Sequence, residues 1–498
     1  MAGAALITTS TRYQHAVSMT ALAATMRTMS LRLIEAWNAL ATRCNPYALI
    51  ALACAVLTGP LIFFRGYNSD EGLAVSIART AIEDGDWLVP HVFNMRWVER
   101  PTLLSWIIAA ISAPFGHVSQ IAARLPVALF VLFGCVLIYL LLRRVAASVP
   151  AALFGAALFL ACPLVIRSSV LVTADLPLAV TLFYAFYLWW CGNQGGSVGV
   201  ARWLAIGVVL AAAGLFKGPQ PIAYFALGVG FYILGSRSWR QIPGLILAGV
   251  ICIIPLACWY AAIYTPGDEG NWAAFMRVRP VAILPGPIVA GLRTLSETFP
   301  AALAAAAFFV GHVLRGRSHV RPGFVAALSC YAFIAAIVVL FWPGGSLPRY
   351  FLPTVLPLCV FGGLGYDLFS DKRPQIVAPI MVITAALLLY ATVYALASPF
   401  LPLRYRQAWF DAERITAAMQ TAPGPLYRIG DTGLNVLPYV PGKILIATPD
   451  ELANVEGPAW MLLPSGEAAT LAARRPDKLH VVMPLGDVEQ WRLLRLDR

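Results

Sequence analysis

The stretch "YNSDEGLAVSIARTAIEDGDWLVPHVFNMRWVERPTLLSW", residues 67–106, decides how the chain is read. It follows an apolar segment long enough to cross a bilayer, and it holds Asp70, Glu71, Glu83, Asp84, Asp86 and Glu99, a quarter of the 24 acidic residues in 498. Asn68 is placed to cap a helix starting at Ser69, with Glu71 closing a capping box. Leu73, Ala74, Ile77, Ala78 and Ala81 then form an apolar stripe at helical spacing, expected to lie on the membrane surface. Gly85 is the expected C′ residue, and Trp87 suits the interface. Asp70 and Glu71 complement the helix dipole, which explains why acids are tolerated there. It does not explain an acidic pair directly after a membrane span, so both are candidate functional carboxylates, Asp70 before Glu71. Glu83, Asp84 and Asp86 read as loop structure. "RWVERPTLLSW" returns the chain to the membrane, and Pro101 can start a short helix at Leu103. Glu99 and Arg100 either pair with each other or grip a phosphate-bearing substrate at the mouth of a cavity.

Composition widens this reading. Hydrophobic residues are 59% and charged residues 12%, with mean hydropathy +0.74; soluble domains carry about 25% charged residues. The chain is therefore expected to be an α-helical polytopic membrane protein. At roughly 20 apolar residues per span, about eleven candidates stand near 46–64, 118–142, 150–166, 170–190, 203–216, 219–234, 242–264, 299–314, 323–342, 350–368 and 376–397. Residues 103–114 are apolar but too short to span, and read as an interfacial or re-entrant helix. Residues 1–45, with Arg12, Arg27, Arg32 and Arg43 and no leading apolar core, read as a cytoplasmic arm. The nine cysteines show no CxxC spacing and suggest neither a disulfide framework nor a metal site. The charge of +12 points to anionic partners, with membrane lipid head groups nearer than nucleic acid.

Loop charges give an orientation. Alternate loops carry Arg143 and Arg144, Arg202, Arg237 and Arg240, Arg315, Arg317 and Arg321, then Lys372 and Arg373, all expected in the cytoplasm. Asp70, Glu71, Glu99, Asp175, Asp268, Glu269 and Glu297 then fall on the opposite face. Arg96, Arg100, Arg167, Lys217, Arg277, Arg279, Arg293 and Arg349 lie there too. Each alone reads as solvated or paired. As a group they suit a phosphate held at the lipid boundary.

From about Ser398 the pattern changes. "PLYRIG", "GKILIAT", "AWMLLPS" and "KLHVVMP" are short apolar runs between turn signals, interleaved with helical pieces such as "TPDELANV". They predict a small α/β domain over 398–498, outside the membrane and without a nucleotide-binding glycine motif. The expected division is 1–45, a membrane domain at 46–397 with its outer loop at 65–117, and 398–498 as an accessory domain.

Asp-Glu after the first span, followed by "GDW" and "RWVERP", resembles the GT-C membrane glycosyltransferases. Within them it is most similar to the aminoarabinose (lipid A) transferases, in the wider group that includes the protein O-mannosyltransferases. "VTADLPL" with Asp175, "GLFKGP" with Lys217, and "LPRYFLP" with Arg349 and Tyr350 resemble further elements of that group in the same order. Two departures stand out: the family's Glu-Lys is Glu99–Arg100 here, and the loop before the eighth span offers "NWAAFMRVRP" with Arg277 and Arg279.

The resemblance implies transfer of a sugar from a polyprenyl phosphate to a lipid A-like lipid or another envelope acceptor, on the periplasmic face of a bacterial inner membrane. A phosphate leaving group needs no general acid, only positive charge where negative charge develops. Arg100, Lys217, Arg277 and Arg349 are the candidates for that, with Trp97, Glu99 and Tyr350 as further substrate contacts. Asp70, with Glu71 beside it, is placed by the resemblance as base or orienting group. Asp175 could position substrate, hold a divalent cation with Asp70, or simply cap a helix. No cofactor is otherwise implied. A flippase for lipid-linked glycans, or a surface-polysaccharide ligase or polymerase, remains the alternative.

Overall fold

The computed structural model describes residues 25–195, 197–266, 286–315, 323–340, 347–401, 406–430, 432–486 and 490–497. Helix α1 (25–43) precedes α2 (Pro46–Phe64) and α3 (Ser69–Glu83); a hairpin of β1 (His91–Val92) and β2 (Met95–Arg96) leads into α4 (Leu103–Ser112). The bundle continues with α5 (Gln120–Arg144), α6 (Val149–Ala161), α7 (Pro163–Ser168), α8 (Asp175–Gly192), α9 (Val200–Lys217), α10 (Leu227–Gly235) and α11 (Ile242–Ile263). Then come α12 (Gly286–Thr298), α13 (Ala301–Arg315), α14 (Phe324–Leu340), α15 (Leu352–Phe369) and α16 (Pro374–Ala397).

Six helices among the described residues are long and apolar enough to cross a membrane, or seven if a pair bent by 95° at residues 299–300 counts as one span. The remaining expected spans are shorter or interrupted. Proline is the physical reason where the chain breaks: Pro163 separates α6 from α7, and a π-helical turn at Ile222–Ala226 follows Pro219 and Pro221. Residues 103–114 form α4 and one 3₁₀ turn, as the length of the run predicts.

Opposite ends of the bundle carry different chemistry. α2 ends, α5 and α8 begin, α9 ends and α15 begins near one end. At roughly 1.5 Å per residue, Arg143 and Arg144 at the far end of α5 lie about 35 Å from its start. The far end is tied by side chains: Ser148 donates N–H to Asp367 (2.8 Å), Trp37 donates to the Pro150 carbonyl (3.0 Å), and Tyr366 donates to Asn38 (2.8 Å). Arg143 and Arg144, expected in the cytoplasm, thus sit at the end of the bundle opposite Asp70.

The tail is an α/β unit. α17 (Arg406–Thr421) leads into β3 (Leu426–Arg428), β4 (Ile444–Ile446), α18 (Pro449–Ala453), β5 (Ala459–Pro464), α19 (Ser465–Arg474), β6 (Leu479–Leu485) and β7 (Trp491–Leu496). The sheet order is β4-β3-β5-β7-β6, parallel across β4, β3 and β5 and antiparallel across β5, β7 and β6. The four apolar runs become β3 to β6. β7 was not foreseen because Arg492 and Arg495 interrupt its apolar residues.

One expectation is corrected. α3 does not lie open on a membrane surface. It is packed against α4, and residues of the tail cover its other flank, so Gly72 and Val75 to Ala81 are buried. Ile77 joins a core with Leu426, Leu437 and Trp460 of the tail. The apolar stripe was read correctly; its partner is protein rather than lipid.

Candidate active site

The start of α3 realises its caps: Asn68 accepts from the Glu71 N–H, and the Glu71 carboxylate accepts from the Asn68 N–H, both at 2.9 Å. A helix advances about 100° per residue, so two adjacent carboxylates point in different directions. Asp70 is half exposed and lines a cavity of about 260 Å³. Glu71 is fully buried and turned away, where its second oxygen accepts from the Val172 N–H (3.1 Å) and from Arg124 (3.1 Å). As a catalytic candidate Glu71 is therefore corrected to a structural tie between the start of α3 and the loop ahead of α8.

Arg124, in the first turns of α5, is the residue that the sequence reading missed. It is fully buried, and beyond Glu71 it donates to the carbonyls of Val170 (3.0 Å), Gly66 (3.0 Å) and Arg65. It also lies 4.9 Å from the centre of the Tyr67 ring. The available signal was a lone arginine inside the apolar run "AARLPVALF". Burial holds the hydroxyls of Tyr67 and of its neighbour Tyr439 above the ordinary tyrosine range, so both stay neutral.

The cavity gathers residues from helix ends far apart in sequence. Asp70, Trp97, Glu99, Arg100, Asp175, Lys217, Arg349 and Tyr350 all line it, with Leu73, Ala74, Ile77, Thr102 and Phe216 among the other walls. Asp175 is the first residue of α8 and Lys217 the last of α9, positions where each charge complements its own helix dipole. They form a buried ion pair, at 7% and 6% side-chain exposure. Gly218 at φ +94° then turns the chain away, a conformation that a side chain would resist. Arg349, in the single turn before α15, reaches both carboxylates: Nη1 bonds Asp70, and Nε lies 3.5 Å from Asp175. The result is an alternating chain Asp70–Arg349–Asp175–Lys217. Tyr350 supports it, with its ring centre 4.2 Å from Lys217 Nζ. Among the described residues Arg100 pairs with Glu99, at 3.8 Å, and both are about one-third exposed.

Among the described residues three carboxylates (Asp70, Glu99, Asp175) thus face three cations (Arg100, Lys217, Arg349), so the described lining of the cavity is balanced in charge. A buried ion pair is costly to assemble and is weak evidence for stability; two such carboxylates sharing one guanidinium at a cavity wall point to a site that handles charge. Both carboxylates already have cationic side chains as partners, and among the described residues no group of three His, Cys, Asp or Glu could hold a metal. Arg277, with Arg279, lies outside the described residues.

Residues 99–261 match the dolichyl-phosphate-mannose-protein mannosyltransferase family. Over 186 residues, 37% of the chain, it is 26% identical to an undecaprenyl phosphate-alpha-4-amino-4-deoxy-L-arabinose arabinosyl transferase of Sodalis glossinidius. The chain spans about a third of that relative's length (34%). The structure superposes on ArnT from Cupriavidus metallidurans in the apo state with a TM-score of 0.70, at 18% identity, over 90% of this chain and 97% of that one. The same protein bound to undecaprenyl phosphate gives a TM-score of 0.67, with the same identity and coverage. The fold shared over those lengths is the GT-C fold.

Proposed function

We propose that this multi-pass membrane protein, which has the GT-C fold, is a glycosyltransferase. It would move a sugar from a polyprenyl-phosphate carrier to a lipid A-like lipid or another envelope acceptor on the periplasmic face of a bacterial inner membrane. The observation that carries the proposal is the cavity where Asp70, Arg349, Asp175 and Lys217 alternate beside Arg100. The likeness to a protein solved with undecaprenyl phosphate supports the donor class.

The chemistry follows from that arrangement. The bond from the anomeric carbon to the carrier phosphate oxygen breaks, and the bonding pair leaves with the phosphate. Arg100, Lys217 and Arg349 stabilise the charge that develops there. An acceptor hydroxyl attacks the anomeric carbon from the opposite side and inverts it, and Asp70 takes the hydroxyl proton. An incoming phosphate competes with Asp70 for Arg349, which frees the carboxylate when the donor is in place. Asp175 holds Lys217 and Arg349 in position throughout. Trp97 and Tyr350 offer flat walls to the sugar. A flippase would need charges along a path through the midplane; these sit at helix ends.

The test compares lipid A and surface glycans by mass spectrometry in cells carrying wild type, Asp70→Asn, or no protein. Sugar-bearing product in wild type and none in Asp70→Asn at equal membrane levels is the expected result. Full product from Asp70→Asn would remove the carboxylate from the mechanism. A change confined to polymer length would favour a polysaccharide polymerase or ligase.

A further inference from the structure

Residues 434–442 of the tail grip α3 along the flank that turns away from the cavity. At Gly72, close behind Asp70, an added Cβ would lie 1.7 Å from the Leu434 carbonyl oxygen, so backbone meets backbone there. Further along, the buried Arg79 donates to the carbonyls of Val440 (2.6 Å), Gly442 (2.8 Å) and Leu437 (3.3 Å), while Glu83 holds its Nε at 2.7 Å. Ahead of the helix, Tyr67 stacks on Tyr439 with ring centres 4.7 Å apart, and its N–H donates to the Tyr439 hydroxyl at 3.1 Å. Arg124 lies against the Tyr67 ring and binds Glu71, so the grip continues into the knot that fixes the start of α3.

α3 also supplies cavity wall: Asp70 and Ala74, with Leu73 and Ile77, which reach the cavity while packed on the tail's core. Arg100 and Lys217 stand elsewhere, ahead of α4 and at the end of α9. The same site is therefore built from two bodies. The bundle carries Lys217 and Arg349 for the carrier phosphate, α3 carries the carboxylate that faces the acceptor, and Arg100 follows a hairpin whose Asn94 is tied to Ile446 of the tail.

We infer that the C-terminal domain is a positioning element of this active site, with Gly72, Arg79 and Tyr439 as positioning residues: docked, it sets Asp70 against the bundle's cations, and undocked, it leaves carrier binding intact but stops transfer. The inference rests on the transferase reading for its second half. A misplacement of about 1 Å at reacting groups costs roughly a hundredfold in rate, whereas two of the three cations offered to the carrier phosphate, Lys217 and Arg349, stand on α9 and on the turn before α15 and not on α3.

The full chain in lipid nanodiscs is compared as wild type, Tyr439→Ala, Tyr439→Phe and Gly72→Ala. Hydrogen exchange of the α3 amides and affinity for undecaprenyl phosphate are read alongside product in cells. Tyr439→Ala and Gly72→Ala should raise exchange across α3 by about tenfold or more. Product should fall at least about tenfold, with undecaprenyl phosphate affinity within about twofold of wild type. Tyr439→Phe keeps the ring stack but loses the acceptor of the Tyr67 N–H, and should fall between Tyr439→Ala and wild type in exchange and product. Unchanged α3 exchange in both disruptive variants overturns the inference, as does a loss of undecaprenyl phosphate affinity in step with product. Absence of undecaprenyl phosphate binding in the wild type would instead sink the transferase reading, and the exchange comparison would still decide whether the tail holds α3.

Discussion

Arg124→Met is the substitution for which the structure allows the most explicit forecast. The pair Arg124–Glu71 has no solvent exposure on either side and an N···O distance of 3.1 Å. Methionine leaves the Glu71 carboxylate buried with the N–H groups of Val172 and Asn68, and takes the Arg124 donor from the carbonyls of Val170 and Gly66, while that of Arg65 keeps Gln120. Breaking one side of a buried pair costs about 3–5 kcal/mol. At roughly 2 °C per kcal/mol for a large chain, the apparent Tm should fall by about 6–10 °C. Adding Glu71→Gln removes the stranded charge yet keeps an oxygen for the Val172 N–H. The double variant should recover a few kcal/mol of that loss, a coupling typical of groups in one network. Thermal unfolding in detergent, followed by tryptophan fluorescence at matched scan rates, gives the four corners of the cycle. If Arg124→Met melts within about 2 °C of wild type, or if the double variant is as unstable as the sum of the singles, the buried pair is not the tie described.

Three other outcomes follow from the charge map. Asp175→Asn leaves three cations against two carboxylates, so undecaprenyl phosphate should bind more tightly, by roughly tenfold at low salt and less at high salt, while product falls; equal or weaker binding would contradict the charge-balance argument. Arg100→Ala should weaken undecaprenyl phosphate binding by about one to two powers of ten, from roughly 1.5–3 kcal/mol per charge-assisted bond, and Arg100→Lys should keep more of it; identical losses would mean that geometry, not charge, is what Arg100 supplies. Cysteines introduced at Glu83 and Asp450 should react with a membrane-impermeant maleimide from the same, outer side, and a label on either from the cytoplasm would reverse the orientation.

Much of the site was legible because its residues announce helix ends. Asp175 sits by Pro177, Lys217 by Gly218 and Pro219, Arg349 by Pro348, and Glu99–Arg100 by Pro101; in a bundle, helix ends on one face converge. The Asn68 capping box followed from local chemistry, and it is made. What sequence could not separate was Asp70 from Glu71: neighbours on the chain, they diverge only once the helix turns one to the cavity and the other to Arg124. Nor could periodicity say what covers the α3 stripe, since lipid and protein satisfy apolar residues equally. Pairing was likewise out of reach. Lys217 and Arg349 read as free cations awaiting a phosphate, and both prove to be held by carboxylates.

The stack of Tyr67 on Tyr439 joins residues 372 positions apart, and the bond from Arg79 to Val440 spans 361. A ribosome delivers the chain from its beginning, so the acidic loop leaves the translocon with its clasp still unmade. Biogenesis then has an order. The bundle inserts, the tail follows, and only when residues 434–442 arrive can α3 be fixed. A protein stalled or cleaved before that point would reach the membrane carrying every charged group of the cavity and still lack a set catalytic helix.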